Sequence, residues 1–407
     1  MRIVHLRTNF DVNLGYDTLI IPLAHKKMGH DVIVVCSDRQ AAFFKNKGVV
    51  VSDDAKRRLR WEKEIQTKGY YIYEGIKVYR LYTVFKYDDV AIVKGLRKLL
   101  YELKPDLVIT VAAKELIALV AAWEKDTLGY AMLTREDQWD FPASTLFRRF
   151  LIKSEYLLFR RFLVDYIYKK SDVVLTSTTQ GVDFIKRWHW YYPNLTHQVV
   201  TVDTSHFHYD QNARQRLRKQ WKVKKEDCVV IAAGKVVALK NFEVYIKAVA
   251  KSRHKDHLRF FILGGGDEWY IKKLKKLISK SHVKPQFFFY SNVAHDQLYQ
   301  WFSAADIGIW NRHTASIHEA MATHLPVILP QIVCDQVPQF VAAAYKTGDA
   351  DDLAHVINAM YENVQERRDL ADKAYETIKK IFDVNIQSKK MIELVQPYIS
   401  SRYIKSL

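Results

Sequence analysis

The chain has 407 residues, 49% of them hydrophobic and 27% charged, a balance that excludes a disordered chain and leaves room for more than one cored domain. Its 63 Lys and Arg stand against 45 Asp and Glu, a net charge of +18. Such a surface draws anions, whether nucleotides, nucleic acid or acidic lipid headgroups, without choosing among them.

Three scattered cysteines, Cys36, Cys228 and Cys334, show no metal-ligand spacing and read as buried thiols in a reducing cytosol. The opening MRIVHLRTNF lacks the apolar core of a signal peptide, and no apolar run reaches the ~18 residues of a membrane span. The expectation is a cytoplasmic protein, soluble or held peripherally on the cytosolic face of a membrane.

In chain order, short apolar runs alternate with helical patterns. IVHL is followed by a helix near 17–28 and then DVIVVC. KPDLVITV, YAMLT, SDVVLTST and HQVVTV come next, then DCVVIAA, LRFFIL, QFFFY, DIGIW and LPVILP. Strands rich in Val, Ile and Phe with helices between them predict α/β architecture with parallel sheets covered on both faces. There are about twice as many as one doubly wound sheet holds, so two Rossmann-like domains are expected. The boundary falls at TVDTSHFHYD, which gives an N-terminal domain over 1–200 and a C-terminal domain over 201–384. A last helix over 385–407 is expected to pack back on the N-terminal domain.

One segment inside the first domain, TLFRRFLIKSEYLLFRRFLVDYIYKK over 145–170, reads as a single long helix. Its aromatics and leucines are interleaved with arginines and lysines, the composition of a helix that lies in an anionic membrane interface. The basic cluster AKRRLRWEK at 55–63 adds to the same expectation.

Three stretches of the second domain are placed for chemistry. In AAGKVVALKN a strand ends in Gly234, and Lys235 and Lys240 follow. Two cations in the crevice at the carboxyl ends of parallel strands suit a diphosphate. ILGGGDE reads as a tight strand–helix turn at Gly264, Gly265 and Gly266, not a P-loop or a full dinucleotide fingerprint. In DIGIWNRHTASIHEAMA a strand delivers Asn311 to Thr314, and a helix begins at Ala315 and Ser316 with Glu319 in its first turn. A helix N-terminus with small residues suits a phosphate, and a carboxylate one turn in suits the vicinal hydroxyls of a ribose.

Taken in order, these segments resemble the retaining glycosyltransferases of family 4 (glycosyl transferases group 1), which have the GT-B fold of two Rossmann-like domains facing a central cleft. The resemblance rests on LGYDTLIIPLAHKKMGHDVIVVCSDR, VDTSHF, GKVVALKN, ILGGGDE, VAHDQLYQWFSAAD and HEAMATHLPVILP. It implies a nucleotide diphosphate sugar donor, of UDP or GDP type, and retention of anomeric configuration with no metal or other cofactor. Lys235 and Lys240 would stabilise the departing diphosphate, and Glu319 would hold the ribose hydroxyls. The backbone at Thr314, Ala315 and Ser316 would touch phosphate, Val293 or Ala294 would lie by the base, and Gly15 would approach the diphosphate from the other domain.

The chain departs from the pattern at several points. The family's first glutamate falls on Asn311, whose amide could still donate to and accept from the sugar's hydroxyls. The first-domain acceptor residues are matched only loosely, by Thr110 and Val111 in PDLVITV and by Arg135, Glu136 and Asp137 in TREDQWD. Asp137 is the candidate near the acceptor.

The leading expectation is a glycosyltransferase that extends a lipid-linked or other cell-envelope glycan at an anionic membrane surface. A GT-B protein with another sugar-nucleotide activity, or an inactive scaffold, is the alternative that Asn311 favours. Nucleic-acid binding rests on charge alone, since no helix-turn-helix, zinc-finger or RNP pattern is present.

Overall fold

The computed structural model describes residues 1–12, 17–39, 65–87, 90–111, 115–136, 141, 146–291 and 293–405. Two sheets organise the chain. The N-terminal sheet consists of β1 (Arg2–Arg7), β2 (Asp31–Ser37), β3 (Gly69–Tyr73), β4 (Ile76–Leu81), β7 (Leu107–Val111), β8 (Ala131–Glu136), β9 (Val173–Thr176) and β10 (Leu195–His197). Their spatial order is β10-β9-β8-β7-β1-β2-β4-β3. All neighbours are parallel except β3, which pairs antiparallel with β4 at one edge. A separate hairpin, β5 (Thr83–Tyr87) with β6 (Val90–Val93), lies outside that sheet.

The C-terminal sheet runs β11 (Cys228–Ala233), β12 (Leu258–Leu263), β13 (Phe287–Tyr290), β14 (Ile307–Ile309), β15 (Val327–Pro330) and β16 (Ala343–Tyr345). It is wholly parallel, in the order β13-β12-β11-β14-β15-β16. The continuous apolar runs follow from this layering: every residue of CVVIAA in β11 is buried, because helices cover both faces of a parallel sheet.

Strand order determines where a site can form. In both sheets consecutive strands fan out in opposite directions from the first one. The reversal lies between β1 and β7 in one domain and between β11 and β14 in the other. At such a switch point the loops at the strands' carboxyl ends diverge and leave a crevice. Residues at the ends of β1 and β7 (Arg7, Val111) and after β1 (Val12) face residues after β14 (His313, Thr314, Ala315) across a single cleft between the domains.

The chain crosses between the domains twice, side by side. The run HQVVTV is shorter as a strand than its pattern predicts: β10 ends at His197, and the chain then leaves the N-terminal sheet. Val202 forms a parallel bridge with Asp383, its N–H donating to Phe382 O (3.0 Å) while Val384 N–H donates back to Val202 O (2.9 Å). The helix Val384–Lys405 then buries Val384, Met391, Val395 and Ile399 against Ile3, Ile21, Ala24 and Leu107 of the first domain.

The basic segment is helical from Leu146 to Lys170 but not uniformly so. A π-helical turn, Tyr156–Arg160, separates the helices Leu146–Glu155 and Arg161–Lys170. Such a turn shifts the helical phase. Tyr156, Val164, Ile167 and Tyr168 face the core, and Tyr156 OH meets His189 Nε2 at 2.8 Å. On the opposite side Leu146, Phe147 and Phe159 are 85%, 70% and 69% exposed. The basic cluster at 55–63 lies outside the described residues.

Candidate active site

The cleft between the domains encloses about 950 Å³. Its N-terminal wall includes Arg7, Asp17, Val111 and Arg135, and its C-terminal wall includes Ala294, His295, Thr314, Ala315 and Glu319. Arg135 donates to Asp17 at 2.5 Å, and Asp17 also accepts from Thr201 Oγ1 at 2.6 Å. This joins the first helix, β8 and the crossover segment at the cleft's edge.

Glu319 is buried at 6% exposure on the helix Ala315–Ala322. It stands in the second turn, not the first as expected, because it lies four residues past Ala315 and a turn takes only about 3.6 residues. It is not orphaned. His295 Nε2 lies 2.8 Å from its Oε1, and the imidazole packs edge-on against Phe207, centroids 5.3 Å apart. Burial pulls the His295 pKa down, but the Glu319 charge and hydrogen bond, with help from Asp296, outweigh it and raise the value. The carboxylate and imidazole therefore act as one polar unit facing the cleft.

The helix start is built from side chains that hold each other. Trp310 Nε1 donates to Ala233 O (2.9 Å) and to Ser316 Oγ (3.0 Å), and Thr314 Oγ1 meets Ser316 Oγ at 2.9 Å. Trp310 thus ties the end of β11 to the first turn of the helix. Thr314 and Ala315 line the cleft. Val293 is half-buried against the apolar cluster under that helix, and its neighbour Ala294 lines the cleft.

Lys235 and Lys240 leave the end of β11 together. Gly234 has φ +127°, and a Cβ there would lie 2.5 Å from Lys240 Nζ. The missing side chain is what lets the ammonium fold in against the backbone. Burial, then the charges of Lys235 and Arg312, holds the Lys240 pKa down to about 8. Lys235 is also shifted down by burial, with Asp267 opposing. The triple-glycine turn closes on this segment: a Cβ on Gly264 would meet Gly234 O at 2.1 Å, and Val236 N–H donates to Gly265 O at 2.9 Å. Those glycines serve turn-on-turn packing beneath the lysines.

Asn311, expected to meet the donor sugar's hydroxyls, is hydrogen-bonded within the protein. Its Nδ2 donates to Lys240 O (3.0 Å) and Asn241 O (2.8 Å), and its Oδ1 accepts from Tyr345 OH. The amide is engaged on both sides, clamping β14, the 238–241 turn and β16 together. It lines a second hollow of about 460 Å³ beside the cleft, along with Arg312, His313 and His318. His313 Nε2 lies 3.0 Å from His318 Nε2, and burial lowers both pKa values, that of His313 to about 4, so the pair is neutral at pH 7.

The structure therefore gathers Glu319, Thr314, Ala315 and Ala294 at one wall of the cleft, with Lys235 and Lys240 at the neighbouring strand end. Gly15 and Asp137 lie outside the described residues. Sequence reading gave no role to His295, His313 or Arg7. Only the histidine in VAHDQ, beside the position expected near the base, hinted at the first, since lone histidines and arginines carry no periodic signal.

Residues 213–377 match the family model described as Glycosyl transferases group 1. No protein of curated function matches the sequence. Among solved structures, HepE from Anabaena in complex with UDP superposes with a TM-score of 0.68 at 15% identity, covering 98% of this chain and 100% of that one. Sucrose-phosphate synthase from Thermosynechococcus elongatus does so at 0.70 and 14%, with 98% and 100% covered. WaaG, a glycosyltransferase involved in lipopolysaccharide biosynthesis, gives 0.60 and 12%, with 97% and 99% covered. At these identities the likeness is one of fold, and the fold is GT-B. Residues 213–377 thus carry a match to a glycosyltransferase domain of group 1 on that fold.

Proposed function

We propose that the protein moves a sugar, with retention of configuration, from a nucleotide diphosphate sugar to a lipid-linked or other cell-envelope glycan. The observation that carries the donor half is the convergence at the switch point of the second sheet. There a buried carboxylate (Glu319) and a helix start (Thr314 and Ala315) line the cleft, and an exposed Lys235 and a half-buried Lys240 follow the end of the adjacent strand β11. A carboxylate suits ribose hydroxyls, and cations suit the charge that grows on a departing diphosphate. HepE is seen with UDP and with UDP-glucose, which supports a donor of that type. Retention without a metal is read from the family resemblance.

The acceptor half rests on the exposed face of Leu146–Lys170. Phenylalanines and leucines stand there among Arg149, Lys153, Arg160 and Lys169, as an anionic interface requires. Among the described residues no helix is long and apolar enough to cross a membrane, so attachment would be peripheral.

Asn311 favours a second reading, an inactive GT-B scaffold, because its amide is engaged within the protein. A thermal-shift screen against UDP, GDP, ADP and CDP sugars separates the two. A ligand that binds only the native state raises stability with the logarithm of its concentration over Kd. A donor that stabilises the wild type but neither Glu319→Ala nor Lys240→Ala supports transfer. No shift at millimolar concentration supports the scaffold.

A further inference from the structure

The 460 Å³ hollow beside the cleft has no role so far. It lies at the carboxyl ends of β14, β15 and β16 and is roofed by Ser177 and Thr178 of the first domain. Its size is within the ordinary range of ligand pockets. His313 lines both the hollow and the cleft, and the next residues, Thr314 and Ala315, belong to the proposed phosphate site. The hollow therefore adjoins the proposed phosphate site, with His313 between them.

The chemistry of the lining is one-sided. No described residue lining it is a carboxylate, although carboxylates are good acceptors for sugar hydroxyls. Asn311, the residue expected to meet the sugar's hydroxyls, is engaged by backbone carbonyls and Tyr345. Arg312 provides a guanidinium whose Nε donates to Leu239 O at 3.0 Å, while its two terminal nitrogens make no hydrogen bond among the described residues. The fully buried His318 lines the hollow as well, and its Nδ1 has no partner among the described residues. Asn241, Gln336 and Thr347 add neutral polar groups around an apolar floor of Val333, Val337 and Phe382. A guanidinium with a free fork recognises a planar carboxylate with two parallel hydrogen bonds.

We propose that this hollow receives the donor's glycosyl group and that the group bears a carboxylate, a uronic acid, bound by Arg312. The proposal rests on the nucleotide-sugar reading of the cleft. With a guanidinium and no carboxylate among the described residues of the lining, the preference turns from neutral sugars toward anionic ones. His318 Nδ1 and the amides serve the ring hydroxyls, and the apolar floor serves the ring face.

Titration calorimetry on the full chain tests it with UDP, UDP-glucose and UDP-glucuronate, and with GDP, GDP-mannose and GDP-mannuronate for the guanosine case. The wild type should bind the uronate about tenfold or more tightly than its neutral counterpart, as a hydrogen bond to a charged group warrants. Arg312→Gln should erase that preference, Arg312→Lys should retain part of it, and the parent diphosphate should lose far less affinity. Melting without ligand shows that both variants fold. If a diphosphate binds but the uronate has no advantage, or Arg312→Gln keeps the advantage, the pocket assignment is wrong and the nucleotide site stands. If neither diphosphate binds, the cleft reading fails and this proposal falls with it.

Discussion

His295 Nε2 lies 2.8 Å from Glu319 Oε1, so the lone carboxylate of the helix Ala315–Ala322 already has a partner at the cleft wall. Removing one member leaves the other buried and short of a hydrogen bond. Glu319→Ala should weaken nucleotide binding by about one to two orders of magnitude, the range for a lost bond to a charged group. In Glu319→Gln the His295 titration, followed by imidazole NMR, should move down, since burial then acts without the carboxylate's charge. An unmoved titration would mean that the pair is not formed.

The Lys240 ammonium, held down to about 8 by burial, Lys235 and Arg312, gives the proposed donor site a pH dependence with a definite sign. Below pH 8 the lysine is charged and attracts a diphosphate. Above pH 8 it deprotonates, and affinity should fall by up to about tenfold per pH unit until the raised pKa of the bound state is reached. Calorimetry in buffers of different ionisation enthalpy should detect proton uptake near pH 8.5, and Lys240→Ala should abolish it.

Asn311 holds Lys240 O, Asn241 O and the Tyr345 hydroxyl at once. Restoring the family's acid here should not restore a sugar contact. Asn311→Glu replaces the donor amide with an oxygen facing two carbonyls, and should cost about 1–3 kcal/mol of stability. Tyr345→Phe should cost about 1 kcal/mol by the same reasoning. Denaturant unfolding measures both, and a neutral Asn311→Glu would contradict the clamp.

Phe147 and Phe159 are exposed on the Leu146–Lys170 segment and contribute nothing to the core. Changing both to Ser should leave the melting temperature unchanged. Sedimentation with phosphatidylglycerol vesicles should drop by about tenfold or more, each ring removing apolar area worth more than about 1 kcal/mol. Binding by the wild type should weaken with salt, since basic residues near the surface supply about 1 kcal/mol each. Equal binding to neutral vesicles would speak against the electrostatic part.

Much of the fold is legible because it is repetitive. VIVVC in β2 and VVIAA in β11 are apolar on every residue, as strands covered on both faces must be, and glycine turns mark where helices begin. That pattern places Lys235, Thr314, Ala315 and Glu319 at strand ends and helix starts from the sequence alone. The phase of a local repeat reaches only a few residues, however. HQVVTV has the composition of a strand, but its second half pairs through Val202 with Asp383, a partner far along the chain. The π turn at Tyr156–Arg160 likewise answers to the polar network around His189 and Asp165 rather than to the helical pattern.

Sequence by itself thus determined the two Rossmann-like halves, the strand-end location of the candidate site residues and the basic aromatic character of the 146–170 segment. All of these are set by local composition and periodicity. Only the tertiary structure decided that Glu319 is partnered by His295, that Asn311 is a clamp, and that Arg312 faces a separate hollow. These depend on which strand ends meet at the switch point, through contacts such as Asn311 to Tyr345 and His295 to Glu319, between elements that no local pattern relates.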